Sequence, residues 1–267
     1  MNNPSLNQNT TKTYSLWASI VRIVATLLIF LFHYEGLYHH SLSPLDIAAI
    51  TMFLLISGYL SGQSEGSVHT WLIKRLKQIL IPYWPVIFLV LLINYFIQYK
   101  PTTASHNIMI FLGLSYFVED PVYVISWFIT LILIFYVDLY FFRLIKPFIL
   151  KILFLTASYF VICGYLYVSV IYFLSFYIGY FLQYLNLFAF ESVGIKRFGL
   201  ENFNRGLYRI QSYCYAFFLI HGGVLLFIIK VCHVLEPYSL LTAFMPTVFI
   251  TYFYKNFIDQ IIKRISP

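Results

Sequence analysis

The sequence predicts an all-α protein, a polytopic membrane helix bundle of about eight transmembrane helices plus a short re-entrant segment. Three observations carry this reading. Hydrophobic residues make up 61% of the 267-residue chain and charged residues 10%, whereas ordinary soluble domains carry about 25% charged residues. Apolar runs long enough to span a bilayer recur along the chain. Lysine and arginine gather in every second connection between those runs, the asymmetry that orients helices in a membrane.

The apolar segments lie near 15–34, 46–62, 79–99, 126–142, 152–169, 171–188, 212–229 and 238–254. A further stretch, 107–118, is too brief to span and is read as re-entrant or interfacial. With the N-terminus inside, eight spans put Lys12, Lys74, Arg75, Lys77, Arg143, Lys146, Lys151, Lys196, Arg197, Arg205, Arg209, Lys255, Lys263 and Arg264 in the cytoplasm. Only Lys100 and Lys230 fall outside, and Arg22 lies within the membrane. Counting 107–118 as a full span weakens that asymmetry. Residues 1–14 are polar and no small-residue cleavage site follows the first apolar run, so they are expected to be a cytoplasmic tail rather than a signal peptide. The stretch 189–211 is expected to be the longest cytoplasmic connection, and 1–267 a single domain with both termini cytoplasmic. A very tight turn joins the fifth and sixth spans.

Other classes of chemistry find little support. The net charge of +7 does not concentrate in one basic patch with interleaved aromatics, which speaks against nucleic acid as a partner. Cys163, Cys214 and Cys232 lack metal-type spacing and are read as packing residues. His39 and His40 follow His33 and Glu35, but H-x5-H-H with a Ser-Pro turn is poor ligand spacing, so no metal is expected.

The first span, LWASIVRIVATLLIFLFHYEG (16–36), carries the chemistry. An arginine at bilayer depth costs roughly 2.5–3.5 kcal/mol on insertion scales, so Arg22 needs a compensating role. Arg22 and His33 are eleven residues apart. At ~100° and ~1.5 Å per residue they share one helix face, separated by about 16 Å along the axis. Such a face belongs inside the bundle. Histidine transfers protons near neutral pH, and arginine offers a permanent planar fork for phosphate or carbonyl oxygens. Glu35 lies about 200° around the helix from His33 and is not its partner. On these residues alone, an arginine snorkelling inward and a histidine at the headgroups remain an equal alternative. Asp138 is the one mid-span carboxylate, and Glu119 and Asp120 sit in an outer loop.

Five segments together resemble the acyltransferase 3 family of integral membrane enzymes, and among these the fucose-acetylase-like members. They are the Arg22…His33 pair, TMFLLISGYLSG (51–62), KRLKQILIPYW (74–84), SWFITLILIFY (126–136) and SYCYAFFLIHGGVL (212–225). The resemblance implies transfer of an acyl group, most often acetyl, from cytoplasmic acyl-CoA to a hydroxyl of a surface polysaccharide or its lipid-linked precursor. It implies acetyl-CoA (acyl-CoA) as donor substrate, no tightly bound cofactor, and a multi-pass protein of the bacterial inner membrane. It makes His33 and Arg22 the catalytic pair, His33 as general base or as an acyl carrier and Arg22 on the donor. Arg75, Lys77, Ser57, Gly58 and His221 become donor-binding candidates, and Trp127 and Ser126 acceptor-binding ones. Each has a plainer role: inner-face charge for Arg75 and Lys77, small-residue packing for Ser57 and Gly58, an interfacial belt for Trp127, and a helix contact for His221. A donor whose phosphates rest near Arg75 and Lys77 would extend its arm up the bundle, over a length of the order of the ~16 Å between Arg22 and His33. The chain departs from the family in being about two spans shorter than usual, and in Gln78, where relatives often carry Lys or Arg. A flippase of lipid-linked sugar, which would favour duplicated halves, and a shortened non-catalytic relative are the alternatives.

Overall fold

A computed structural model describes residues 16–38, 44–62, 66–98, 100–185, 201–228, 232 and 238–265. Among them run ten α-helices: α1 (Leu16–Tyr38), α2 (Leu45–Gly62), α3 (Val68–Ile97), α4 (Ala104–Phe111), α5 (Trp127–Leu144), α6 (Phe148–Tyr159), α7 (Val170–Leu182), α8 (Glu201–Gln211), α9 (Cys214–Leu226) and α10 (Tyr238–Ile265). No strand occurs among the described residues. Five segments are long and apolar enough to cross a membrane: Leu16–Leu37, Leu45–Gly62, Val68–Ile97, Val124–Leu144 and Phe148–Tyr165. Val170–Leu185 and Cys214–Leu226 are apolar but shorter. The expected helix bundle is therefore present; of the helices at the eight expected spans, five meet this length and apolarity, two are apolar but shorter, and α10 has the length but is more polar.

Two boundaries differ from the sequence reading. Helix α3 begins at Val68, capped by the Ser67 hydroxyl accepting from Thr70 N at 3.2 Å, so the basic run Lys74–Lys77 is helical and not a loop. Residues 201–211 of the expected connection form α8, packed on α1. Its inward face repeats at helical spacing through Asn204, Tyr208 and Gln211, with Phe203 and Ile210 outside. Residues 1–14, Lys196 and Arg197 lie outside the described residues.

Burial explains the layering. The segment around α5 is 61% buried and that around α6 only 11%, so α5 is the central post and α6 a peripheral helix whose Phe148, Ile149, Leu150 and Leu153 face outward. Helices α2 and α7 are the most closely packed pair. Gly58 of α2 lies against the Phe176 carbonyl and Gly179 of α7 against the Leu55 carbonyl, so each backbone enters the space a Cβ would need. Pro82 and Pro85 interrupt α3. In the same stretch, Tyr215 of α9 donates to the Ile79 carbonyl at 2.9 Å and Tyr254 of α10 donates to that of Pro82, so the weakened helix is tied to its neighbours.

The segment expected at 107–118 comprises the end of α4 and a 3₁₀ turn at Ser115–Phe117. Side chains of the long helices donate to its carbonyls. Tyr83 donates to Ile110 O at 2.5 Å, Trp84 Nε1 to Phe111 O at 3.2 Å and Thr130 to Gly113 O at 2.7 Å. Irregular backbone held this way is compatible with membrane depth.

Candidate functional site

Helix α1 lies against α2, α8 and α9, and its two polar residues sit in different compartments of that contact. His33 lines a cavity of about 420 Å³ at the end of the bundle where α1 finishes and α2 begins. The wall is mostly apolar and aromatic, with Phe32, Ile50, Trp127, Phe128 and Phe218 among its residues. Asp46 and Lys100 bring charge to it. Such a lining, apolar with a few convergent polar groups, is characteristic of a small-molecule site.

The cavity wall is held from outside. Asn94 brackets Lys100, donating to its carbonyl and accepting from its N–H, both at 2.9 Å. The Lys100 amine is paired with the Asp120 carboxylate, so its position at the mouth is defined. Tyr123 donates to the Leu219 carbonyl at 2.5 Å. Burial pushes the Tyr123 phenol above its ordinary value, which keeps it a protonated donor. A Cβ on Gly222 would collide with the Ile125 side chain, so this glycine lets the 123–125 segment close on α9.

Below the cavity, His221 of α9 is fully buried. Its ring centroid is 5.3 Å from that of His33, a pairing of residues 188 positions apart in sequence. Two to three turns further toward the start of α1, Thr26 donates to the Arg22 carbonyl at 2.8 Å, and the half-buried Arg22 reaches Gln211 at the end of α8, Nη1 to Oε1 at 3.3 Å. Its electrostatic neighbours are Cys214, Tyr136, Arg75 and Tyr208. Arg22 thus ends beside Gln211 of α8, where Arg75 of α3, Tyr136 of α5 and Cys214 of α9 are near enough to act on its charge.

The other candidate residues fall into place as follows. Arg75 donates to the Leu60 carbonyl at 2.7 Å and lies 5.9 Å from the Tyr136 ring centre, capping the carbonyl end of α2 near Arg22. Lys77 is exposed on the outer side of α3. The Ser57 carbonyl accepts from Ser61 within α2 at 2.6 Å, and Gly58 lies against the backbone of α7. Trp127 lines the His33 cavity. The buried Ser126 hydroxyl donates to the Tyr123 carbonyl at 2.5 Å and supports the turn before α5. Asp138 lies away from both compartments, accepting from Ser158 at 2.7 Å and from Tyr177. Among the described residues no group of three His, Cys, Asp or Glu converges to hold a metal; His39 and His40 lie outside them. Sequence reasoning missed Asp46, Tyr123 and Gln211, and placed Lys100 outside without a role. The available signal was their position at helix ends, and it does not say which ends meet.

The sequence profile of the acyltransferase 3 family, described as an acyltransferase domain, matches residues 15–199. The chain belongs to the acyltransferase 3 family. It is accordingly a multi-pass membrane protein of an acyltransferase family. The match includes Arg22, His33 and the segments at 51–62, 74–84 and 126–136, and ends before α9. His221 therefore enters the site on geometry rather than on the family match. No curated protein and no solved structure matches the chain.

Proposed function

We propose that this acyltransferase 3 protein moves an acetyl group from cytoplasmic acetyl-CoA to a hydroxyl of a cell-surface polysaccharide or its lipid-linked precursor, in a bacterial inner membrane with both chain termini cytoplasmic. The observation that carries the reading is the placement of His33 in a 420 Å³ cavity walled by Trp127 and Phe128, on the helix that also presents Arg22 to Gln211 of α8. With Arg22 toward the cytoplasm, the Arg22 and Arg75 guanidiniums are suited to the pyrophosphate or amides of the donor, and Lys77 stands at the same face. The pantetheine arm then runs along α1 and delivers its thioester about 16 Å away. Aromatic rings of the cavity suit an acceptor sugar, whose hydroxyls meet Asp46 and Lys100.

In this reading His33 accepts the proton of the acceptor hydroxyl as its oxygen attacks the thioester carbon. The C–O bond forms, the C–S bond breaks, and the proton passes from His33 to the departing thiolate of CoA. The test is mass spectrometry and NMR of surface glycan from cells carrying wild-type protein, a deletion, or His33→Ala. The proposal expects acetyl to disappear in the deletion and in His33→Ala at unchanged membrane abundance, with polymer yield intact. Unchanged acetylation in His33→Ala refutes it, and loss of polymer itself points to a transporter.

A further inference from the structure

His221 has a feature that the acyl-transfer reading does not use. Its Nδ1 lies 2.7 Å from the Phe218 carbonyl and 3.3 Å from that of Phe217. Carbonyl oxygens only accept, so Nδ1 carries the hydrogen. A neutral ring then has a bare Nε2, a hydrogen-bond acceptor with no choice of tautomer. That Nε2 is buried and has no hydrogen-bond partner, a state that buried polar atoms rarely keep.

The surroundings limit what can satisfy it. The rings around His221 are Phe30 at 6.3 Å, Phe217 at 6.1 Å, Phe218 at 5.8 Å and His33 at 5.3 Å between centroids. Three of these are phenyls and donate no N–H; His33 does. Imidazole nitrogens stand about 1.1 Å from their ring centre, so facing nitrogens of rings 5.3 Å apart come to about 3.1 Å, within hydrogen-bond range. His33 is half-buried at the cavity edge and has room to turn, while His221 is clamped by its own helix and stacked on Phe217 at 7°.

We propose that His221 is a positioning residue for His33: its bare Nε2 accepts a hydrogen bond from one ring nitrogen of His33, leaving the other His33 nitrogen unprotonated and turned to the cavity. This rests on the role given to His33 above and deepens it. A histidine free to exchange tautomers presents a base only part of the time, and one held by a fixed acceptor presents it always. When His33 takes the acceptor proton it becomes an imidazolium, and the neutral Nε2 of His221 stabilises the N–H it faces. The proton then leaves from the cavity side to the CoA thiolate, and His221 itself neither gains nor loses one. The charged and titratable groups lining the His33 cavity are Asp46 of α2, Lys100 of the α3–α4 connection and Tyr123 before α5, whose hydroxyl is engaged by the Leu219 carbonyl on the helix of His221.

The experiment is ¹⁵N-histidine NMR of the full chain in lipid nanodiscs, with His33 assigned by the signals lost in His33→Ala. Wild type is expected to show His33 as one tautomer, with a protonated and an unprotonated nitrogen clearly separated, and His221 protonated at Nδ1 only. His221→Phe preserves the stack on Phe217 but removes the acceptor, and the His33 signals should move toward an exchange average; His221→Gln, whose amide oxygen accepts, should restore the separation. Acetyl transfer in cells should fall roughly 10- to 100-fold in His221→Phe, the range seen when a metal-ligating histidine loses the partner that fixes its tautomer, and recover in part in His221→Gln. An averaged His33 in wild type, or a His33 spectrum unmoved by His221→Phe, overturns the inference; the first readout survives even if both variants fail to fold. If the pair behaves as expected while His33→Ala leaves acetylation intact, the positioning stands and the acyl-transfer role of His33 fails.

Discussion

Replacing Gly58 or Gly179 with alanine tests how the bundle supports its cavity. A Cβ at Gly58 would overlap the Phe176 carbonyl and approach Tyr180 N at 2.9 Å; a Cβ at Gly179 would overlap the Leu55 carbonyl. These are backbone atoms that cannot rotate aside, so α2 and α7 must separate by on the order of 1 Å, against the close packing that interiors maintain. Overpacking of this kind costs about 1–3 kcal/mol. At about 2–4 °C per kcal/mol, the midpoint of thermal unfolding should drop by roughly 2–12 °C for either substitution. The double variant should lose less than the sum, because the second methyl enters a gap the first has opened. Helix α2 also carries Asp46 and Ile50 to the cavity wall, and displacements of ~1 Å at a reacting centre cost up to about 100-fold in rate. Acetyl transfer should therefore fall further than protein abundance. The assay is thermal unfolding of purified protein in detergent beside glycan acetyl content per unit of membrane protein. Gly164→Ala is the control, since nothing lies within 4 Å of its added Cβ. If Gly58→Ala and Gly179→Ala match that control in stability, the argued closeness of α2 and α7 is wrong.

Arg22→Leu should abolish acetyl transfer while leaving stability unchanged or raised, because an arginine at bilayer depth itself costs roughly 2.5–3.5 kcal/mol on insertion scales; a lower unfolding midpoint in that variant would mark Arg22 as structural. Arg22→Lys keeps the charge but not the fork that meets Gln211, so it should accumulate normally and transfer at least about tenfold more slowly. Asp138→Leu removes the acceptor of Ser158 and Tyr177, leaving two hydroxyls unpaired at about 1–3 kcal/mol of stability each. Its acetyl transfer per folded molecule should stay at the wild-type level, and a selective loss of transfer would give Asp138 a role in the site.

Much of the architecture was legible because it follows from local chemistry. Apolar runs of spanning length announce helices wherever they occur, and the 107–118 stretch was visible as too short to cross. The shared face of Arg22 and His33 follows from helix geometry alone. Boundaries set by tertiary contact were less visible. The basic run at Lys74–Lys77 reads as a loop by charge yet continues α3 from its Ser67 cap. Helix α8 reads as a polar linker because the face it turns inward is itself polar, with Asn204, Tyr208 and Gln211.

The amino-acid sequence thus determined the all-helical class, the membrane setting, the family, and the placing of a cation and a titratable ring along one side of the first helix, since each depends on composition or on spacing within a single segment. Only the tertiary structure decided that His221 stands beside His33, that Asp46, Lys100 and Tyr123 share the cavity with it, that Gln211 meets Arg22, and that Gly58 lies against the backbone of α7. Those facts depend on which helices lie side by side and how closely, and the packing of side chains between distant segments settles that, with no trace in the spacing of any one of them.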